Sequence, residues 1–105
     1  MRETSDPSMR AVREVVLSGD IDVENTPRIR RRIAAGLRVS RTTGCAVVVD
    51  CRAVTFIESR GLGMMARLQR RADEDGLSLS WRGFNEHVLK TIHVAGIDTY
   101  LRIDP

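Results

Sequence analysis

The run Cys45-Ala46-Val47-Val48-Val49 constrains the fold more than any other stretch of the chain. It is apolar, β-branched and without alternation, which suits a central strand of a parallel sheet, covered on both faces. An extended strand beginning with this run would hold Cys45, at its start, and Cys51, two residues past Val49, far beyond disulfide reach. They read as buried thiols in a reducing compartment.

A parallel strand needs crossover helices, and the flanking sequence supplies them. Val12 to Leu17 reads as a short strand ended by Ser18-Gly19, with Asp20-Ile21-Asp22 beyond that turn signal. Asn25 or Thr26 can cap the next element, and Pro27 sits where a helix tolerates proline best. Ile29, Ile33 and Leu37 then recur every fourth residue among arginines, which predicts a surface helix from Pro27 to Val39. Thr42-Thr43-Gly44 ends the pattern before the apolar strand begins.

After Asp50 the chain crosses Arg52-Ala53-Val54-Thr55 to a short apolar anchor, Phe56-Ile57. Leu62, Met65, Leu68 and Ala72 predict a second helix from about Ser59 to Asp75, stopped by Gly76. Leu77 to Trp81 alternates apolar and polar residues, as a strand nearer an edge does. Asn85 can cap a third helix carrying Val88, Leu89 and Ile92 and closed by Ala95-Gly96, and Tyr100 to Ile103 supplies a last strand. Strands and helices alternating in this order predict an α/β domain, a mixed, mostly parallel sheet of about four to five strands with helices packed on it.

At 105 residues, one domain is the default. Residues 1–8 read as a flexible N-terminal segment, with a short strand around Ser8 to Arg10 as the other reading, and residues 9–105 as the domain. No stretch resembles a secretion signal or approaches a membrane-spanning length, so a cytoplasmic protein without membrane contact is expected. The formal charge of +3, from 17 basic and 14 acidic residues, means a charged surface. The cluster Arg28, Arg30, Arg31, Arg32 and Arg38 could contact phosphates. Without aromatic platforms, a zinc pattern or helix-turn-helix spacing, no direct nucleic-acid binding is expected.

Catalytic chemistry finds little support. His87 and His93 fall on opposite faces of a helix, neither cysteine has a C-x-x-C partner, and Gly61 and Gly63 complete no phosphate-binding pattern. The expectation is no enzyme, no metal and no cofactor. Asp20, Asp22 and Asp50 each follow or end an expected strand. They read either as turn residues or as an acidic rim beside Ser59. Ser59 stands where a strand gives way to a helix. Its hydroxyl can cap that helix, and a phosphate on the same oxygen would turn the cap into a charge switch beside Glu58 and Arg60.

Two segments carry a family resemblance. Val16-Leu17-Ser18-Gly19-Asp20-Ile21-Asp22 with Thr26-Pro27, and Val47-Val48-Val49-Asp50 through Phe56-Ile57-Glu58-Ser59-Arg60-Gly61-Leu62-Gly63, resemble STAS domains, most closely the bacterial anti-sigma factor antagonists. The resemblance implies that the domain of residues 9–105 is a STAS domain working through protein binding. Its unphosphorylated form would bind an anti-sigma factor with serine kinase activity, phosphorylation of Ser59 would release it, and a serine phosphatase would reset it. Partner contact would then fall to Asp20, Asp22, Glu58, Ser59, Arg60 and Leu62.

This chain departs from the family where Asp-Ser-Ser-Gly or Asp-Ser-Thr-Gly is usual, having Glu58-Ser59-Arg60-Gly61. Arg60 would alter partner specificity or obstruct the usual kinase. The alternative is a constitutive STAS scaffold or subunit of a larger assembly, lipid-transport or stressosome-like, without phospho-switching. A regulatory STAS domain of an anion transporter is a third reading, disfavoured because this chain has no transmembrane segment of its own. Few residues precede Val12 and few follow Ile103, so a short or missing first strand and an uncovered edge would invite a weak homodimer.

Overall fold

In the computed structural model, which describes residues 11–105, seven elements follow in the expected alternating order. They are β1 (Val12–Ile21), α1 (Thr26–Thr43), β2 (Ala46–Ile57), α2 (Ser59–Glu74), β3 (Leu79–Arg82), α3 (Glu86–Val94) and β4 (Ile103–Asp104). The four strands lie in the order β1-β2-β3-β4, and every pairing is parallel. The segment 1–8 and the strand considered around Ser8 to Arg10 lie outside the described residues.

The valine run occupies the expected place. Val15, Val49 and Trp81 stand side by side across β1, β2 and β3, and Val47 stands beside Leu79. This face meets α1 and α2: a Cβ on Gly36 of α1 would touch Val47 at 3.5 Å. Val47, Val49, Leu79 and Trp81 are fully buried there. The opposite face is different. Val48 is only half-buried, Val12 and Val16 are exposed, and Glu14 pairs with Arg82 across the sheet. The unbroken apolar run therefore overstates the cover, which is complete on the helix side alone.

All four strands differ from expectation. β1 runs through Ser18-Gly19 to Ile21 because the turn signal is spent on two register shifts against β2, at Val16/Ser18 and Gly19/Asp20. β2 continues past Asp50 to Ile57 because the extra residue at Cys51-Arg52 is taken up in a bulge, where the Arg52 amide and guanidinium bond the Asp50 carboxylate and pairing with β1 resumes at Ala53. β3 is an interior strand between β2 and β4. Its alternation misleads because Ser80 is buried with its neighbours. β4 is only two residues long, and Tyr100, expected in it, lies exposed in the preceding turn.

The helices follow their apolar stripes. α1 buries Ile29, Ile33 and Leu37, then extends beyond Val39 as Ser40 turns inward and donates to the Cys45 carbonyl at 2.5 Å. Gly44 ends it in the left-handed conformation, φ 75°. Asn85 caps α3, its side chain accepting from the Val88 amide at 2.8 Å, and Val88 and Ile92 face the core while Leu89 stays exposed.

A buried polar cluster ties α2 to the sheet. Gln69, 1% exposed, donates to the Leu79 carbonyl at 3.1 Å and to Asp73 at 3.0 Å. Its oxygen accepts from Trp81 Nε1 at 2.8 Å and from the Arg102 amide at 3.2 Å. The indole can thus be fully buried without an unpaired donor. Cys45 and Cys51 are free and buried, and desolvation pushes the Cys51 thiol up to about 12, so it stays protonated and inert.

Candidate protein-docking site

Parallel strands end at one edge of the sheet, and here β1 and β2 end together, with Ile21 opposite Ile57. The β1–α1 loop and the start of α2 leave from that edge. Gly61 makes their closeness feasible: a Cβ there would lie 2.8 Å from Ile21 Cγ2 and 3.0 Å from Ile57 Cγ2. Only a glycine lets the first turn of α2 settle onto both strand ends without displacing them.

The β1–α1 loop is held by its own side chains. Asp22 Oδ1 accepts from the amides of Glu24 and Asn25, both at 3.0 Å. Asn25 returns the contact, its Oδ1 accepting from the Asp22 amide at 2.9 Å and its Nδ2 donating to the Asp20 carbonyl at 2.7 Å. Asn25 therefore occupies the cap position of α1 without a side-chain cap bond. Thr26, the first helical residue, donates its hydroxyl to the Asp22 carbonyl at 2.6 Å.

Glu58 joins this loop to α2. Its amide donates to the Ile21 carbonyl at 2.9 Å, and its Oε1 accepts from the Val23 amide at 3.1 Å. Nearby, Thr55 Oγ1 donates to Asp20 Oδ1 at 2.7 Å. Both acids of the turn, and the acid before the serine, thus serve first as parts of a latch.

Ser59 does not cap α2. Glu58 holds the cap position, in extended conformation at φ −80° and ψ 164°, and Ser59 is already the first helical residue. Its side chain is exposed and forms no hydrogen bond among the described residues. Arg60 projects beside it, also exposed. Leu62 is 6% exposed and packs into the core, so it is absent from this surface.

Asp50 is the larger correction. It lies in mid-strand, paired laterally with Val16 and Arg82, and not at the strand end with Asp20 and Asp22. The Arg52 guanidinium and amide hydrogen-bond its carboxylate and hold it down to about 2. An acidic rim of three does not form.

Two residues belong to this surface that the sequence reading gave no role in partner contact. Val23, in the β1–α1 loop, is 50% exposed, and Phe56, beside Asp20 at the end of β2, is 43% exposed. The signal for Phe56 was available: it precedes the buried Ile57 in a strand, so it must point the other way. The strand ends thus expose two apolar side chains, a free hydroxyl and a cation around a hydrogen-bonded frame. The arrangement is suited to docking. Among the described residues no group of three or more His, Cys, Asp or Glu could hold a metal ion, and no helix is long and apolar enough to cross a membrane.

A family model described as "Mlab, STAS domain" matches residues 7–103. Among solved structures, the murine solute carrier 26 family member A9 anion transporter, in its inward-facing state, superposes with a TM-score of 0.78 at 17% identity, over 92% of this chain and 16% of that one. The anti-sigma factor antagonist SpoIIAA in its unphosphorylated form gives 0.68 at 15% identity, over 92% of this chain and 83% of that one. The STAS domain of a SulP transporter from Vibrio cholerae gives 0.65 at 15% identity, over 91% and 74%. These likenesses establish the shared fold. No curated protein sequence matches the chain significantly.

Proposed function

The chain belongs to the STAS-domain family described as "Mlab, STAS domain", and from that premise we propose that it is a constitutive docking subunit of a larger assembly, of the lipid-transport kind. STAS domains are non-catalytic regulatory modules. The observation that carries the proposal is the exposure of Val23, Phe56 and Arg60 around the ends of β1 and β2, where the acids already satisfy the loop amides. Apolar side chains on a rigid frame bind at low ordering cost, and the cation selects a partner with an acidic patch. Ser59 then serves as a small contact residue at the start of α2.

A second reading keeps the phospho-switch, with an anti-sigma factor kinase as partner and Ser59 as the modified residue. It is favoured by one feature: the Ser59 hydroxyl is exposed and unengaged at a helix N-terminus, where Arg60 and the helix dipole would steady a phosphate. Intact-mass spectrometry of the protein isolated with its partner from its own cells separates the two. The docking reading expects an unmodified Ser59 in the complex and retention of the partner by Ser59→Ala across growth conditions. A Ser59 phosphate that appears whenever the partner is released, with Ser59→Ala locked to the partner, would establish the switch instead.

A further inference from the structure

A second surface, away from the strand edge, is built for a different contact. α1 and α2 run parallel along one face of the sheet, and the groove between them has a volume of about 360 Å³. Five of its nine lining residues are arginines: Arg30, Arg38 and Arg41 from α1, Arg67 and Arg71 from α2. They recur at helical spacing on the two facing stripes, and α1 contains no acidic residue at all. Between them lies an apolar floor, where Ala34 and Leu68 are half-exposed above buried Leu37 and Met64.

The far end of the groove shows what such a pair of stripes holds. Asp75 places one carboxylate oxygen 2.6 Å from Arg41 and 3.5 Å from Arg71, bridging the two helices. Hydrogen bonding by Arg41 keeps that carboxyl below its ordinary range. Further along the groove, Arg30, Arg38 and Arg67 repeat the arrangement without an acid: none of the three has an ion-pair partner among the described residues. The cationic rim from Arg30 to Arg41 spans roughly 16 Å, about three helical turns.

We propose that the α1–α2 groove is a docking site for an acidic amphipathic helix of a partner protein, whose carboxylates bridge Arg38 and Arg67 as Asp75 bridges Arg41 and Arg71. Guanidinium groups match carboxylates in a fixed two-point geometry, and the apolar floor takes one small side chain per turn. A membrane surface fits less well. The exposed large apolar residues, Val12, Val16, Val23, Phe56, Leu89, Val94 and Tyr100, all lie outside α1 and α2, so nothing on this face would insert into a bilayer. No aromatic side chain lines the groove on which a base could stack.

The test is fluorescence anisotropy with a labelled helical peptide carrying Glu on one face and Leu or Ala on the other, against the full chain. Wild type should bind, and Arg38→Glu/Arg67→Glu should weaken binding at least about tenfold. The charge-matched control Arg28→Glu/Arg31→Glu, outside the groove, should change it less than about twofold. Circular dichroism of both variants should match wild type, since all four arginines are exposed. Equal loss in the two double variants would overturn the proposal. So would absence of peptide binding, or groove-dependent binding of phosphatidylglycerol vesicles or a thymidine oligonucleotide in place of the peptide.

Discussion

The Gln69 cluster and the Glu58 latch use the same kinds of bond in opposite settings. Gln69 is buried and joins Trp81, Leu79 and Arg102, so its bonds hold α2, β3 and the approach to β4 together. Glu58 is half-buried and joins the Val23 amide to the start of α2 beneath an exposed surface. A buried polar group left unpaired is costly, whereas an exposed one is satisfied by water. The first network therefore secures the fold, and the second shapes a surface at little cost to stability. Function can change at the latch without endangering the domain.

Substitutions should separate the two regions. Gln69→Leu strands the Trp81 indole N–H and the Leu79 carbonyl in the core, and should lower stability by about 3 kcal/mol in urea unfolding, with no direct effect on the docking surface. Gly61→Ala acts on both regions. Its Cβ meets Ile21 and Ile57 side chains, so we expect a loss of about 1–3 kcal/mol together with weaker partner binding as α2 is pushed outward.

Asp50 supplies a pH test. Its folded value, about 2, lies below the ordinary 3.8, so its contribution is fully present above pH 3.8 and is lost as pH falls toward 2. Asp50→Asn should flatten that part of the acid limb in denaturant midpoints taken across the window. The docking surface should be indifferent to this change. The smallest expected effect on stability is that of Glu58→Ala, about 0.5–1 kcal/mol or less, accompanied by faster hydrogen exchange at the Val23 amide. A loss as large as that of Gln69→Leu would erase the distinction between the two networks.

The contrast also explains what could be read from the chain. The α1 stripe of Ile29, Ile33 and Leu37 and the buried valines of β2 follow from periodicity and apolar content, which depend on neighbours in sequence. Gln69 is invisible to such patterns because its buried partners, the Leu79 carbonyl, Trp81 and the Arg102 amide, lie ten or more residues away. Ser18-Gly19 looks like a turn because sequence cannot distinguish a reversal from a bulge inside a parallel strand. Ser59 looks like a cap, yet Glu58 takes that position while its side chain reaches across to Val23. Leu62 was assigned to the surface by resemblance, and its side chain packs inward. Local patterns carried the elements, and long-range partners decided the roles.

Hydrogen–deuterium exchange of the protein alone and in its native complex tests the docking account most directly. The account predicts that amides around Val23 and from Phe56 to Gly61 slow markedly on complex formation, while those of β3 remain as they were. Unchanged exchange at both segments, with protection confined to other surfaces, would contradict it.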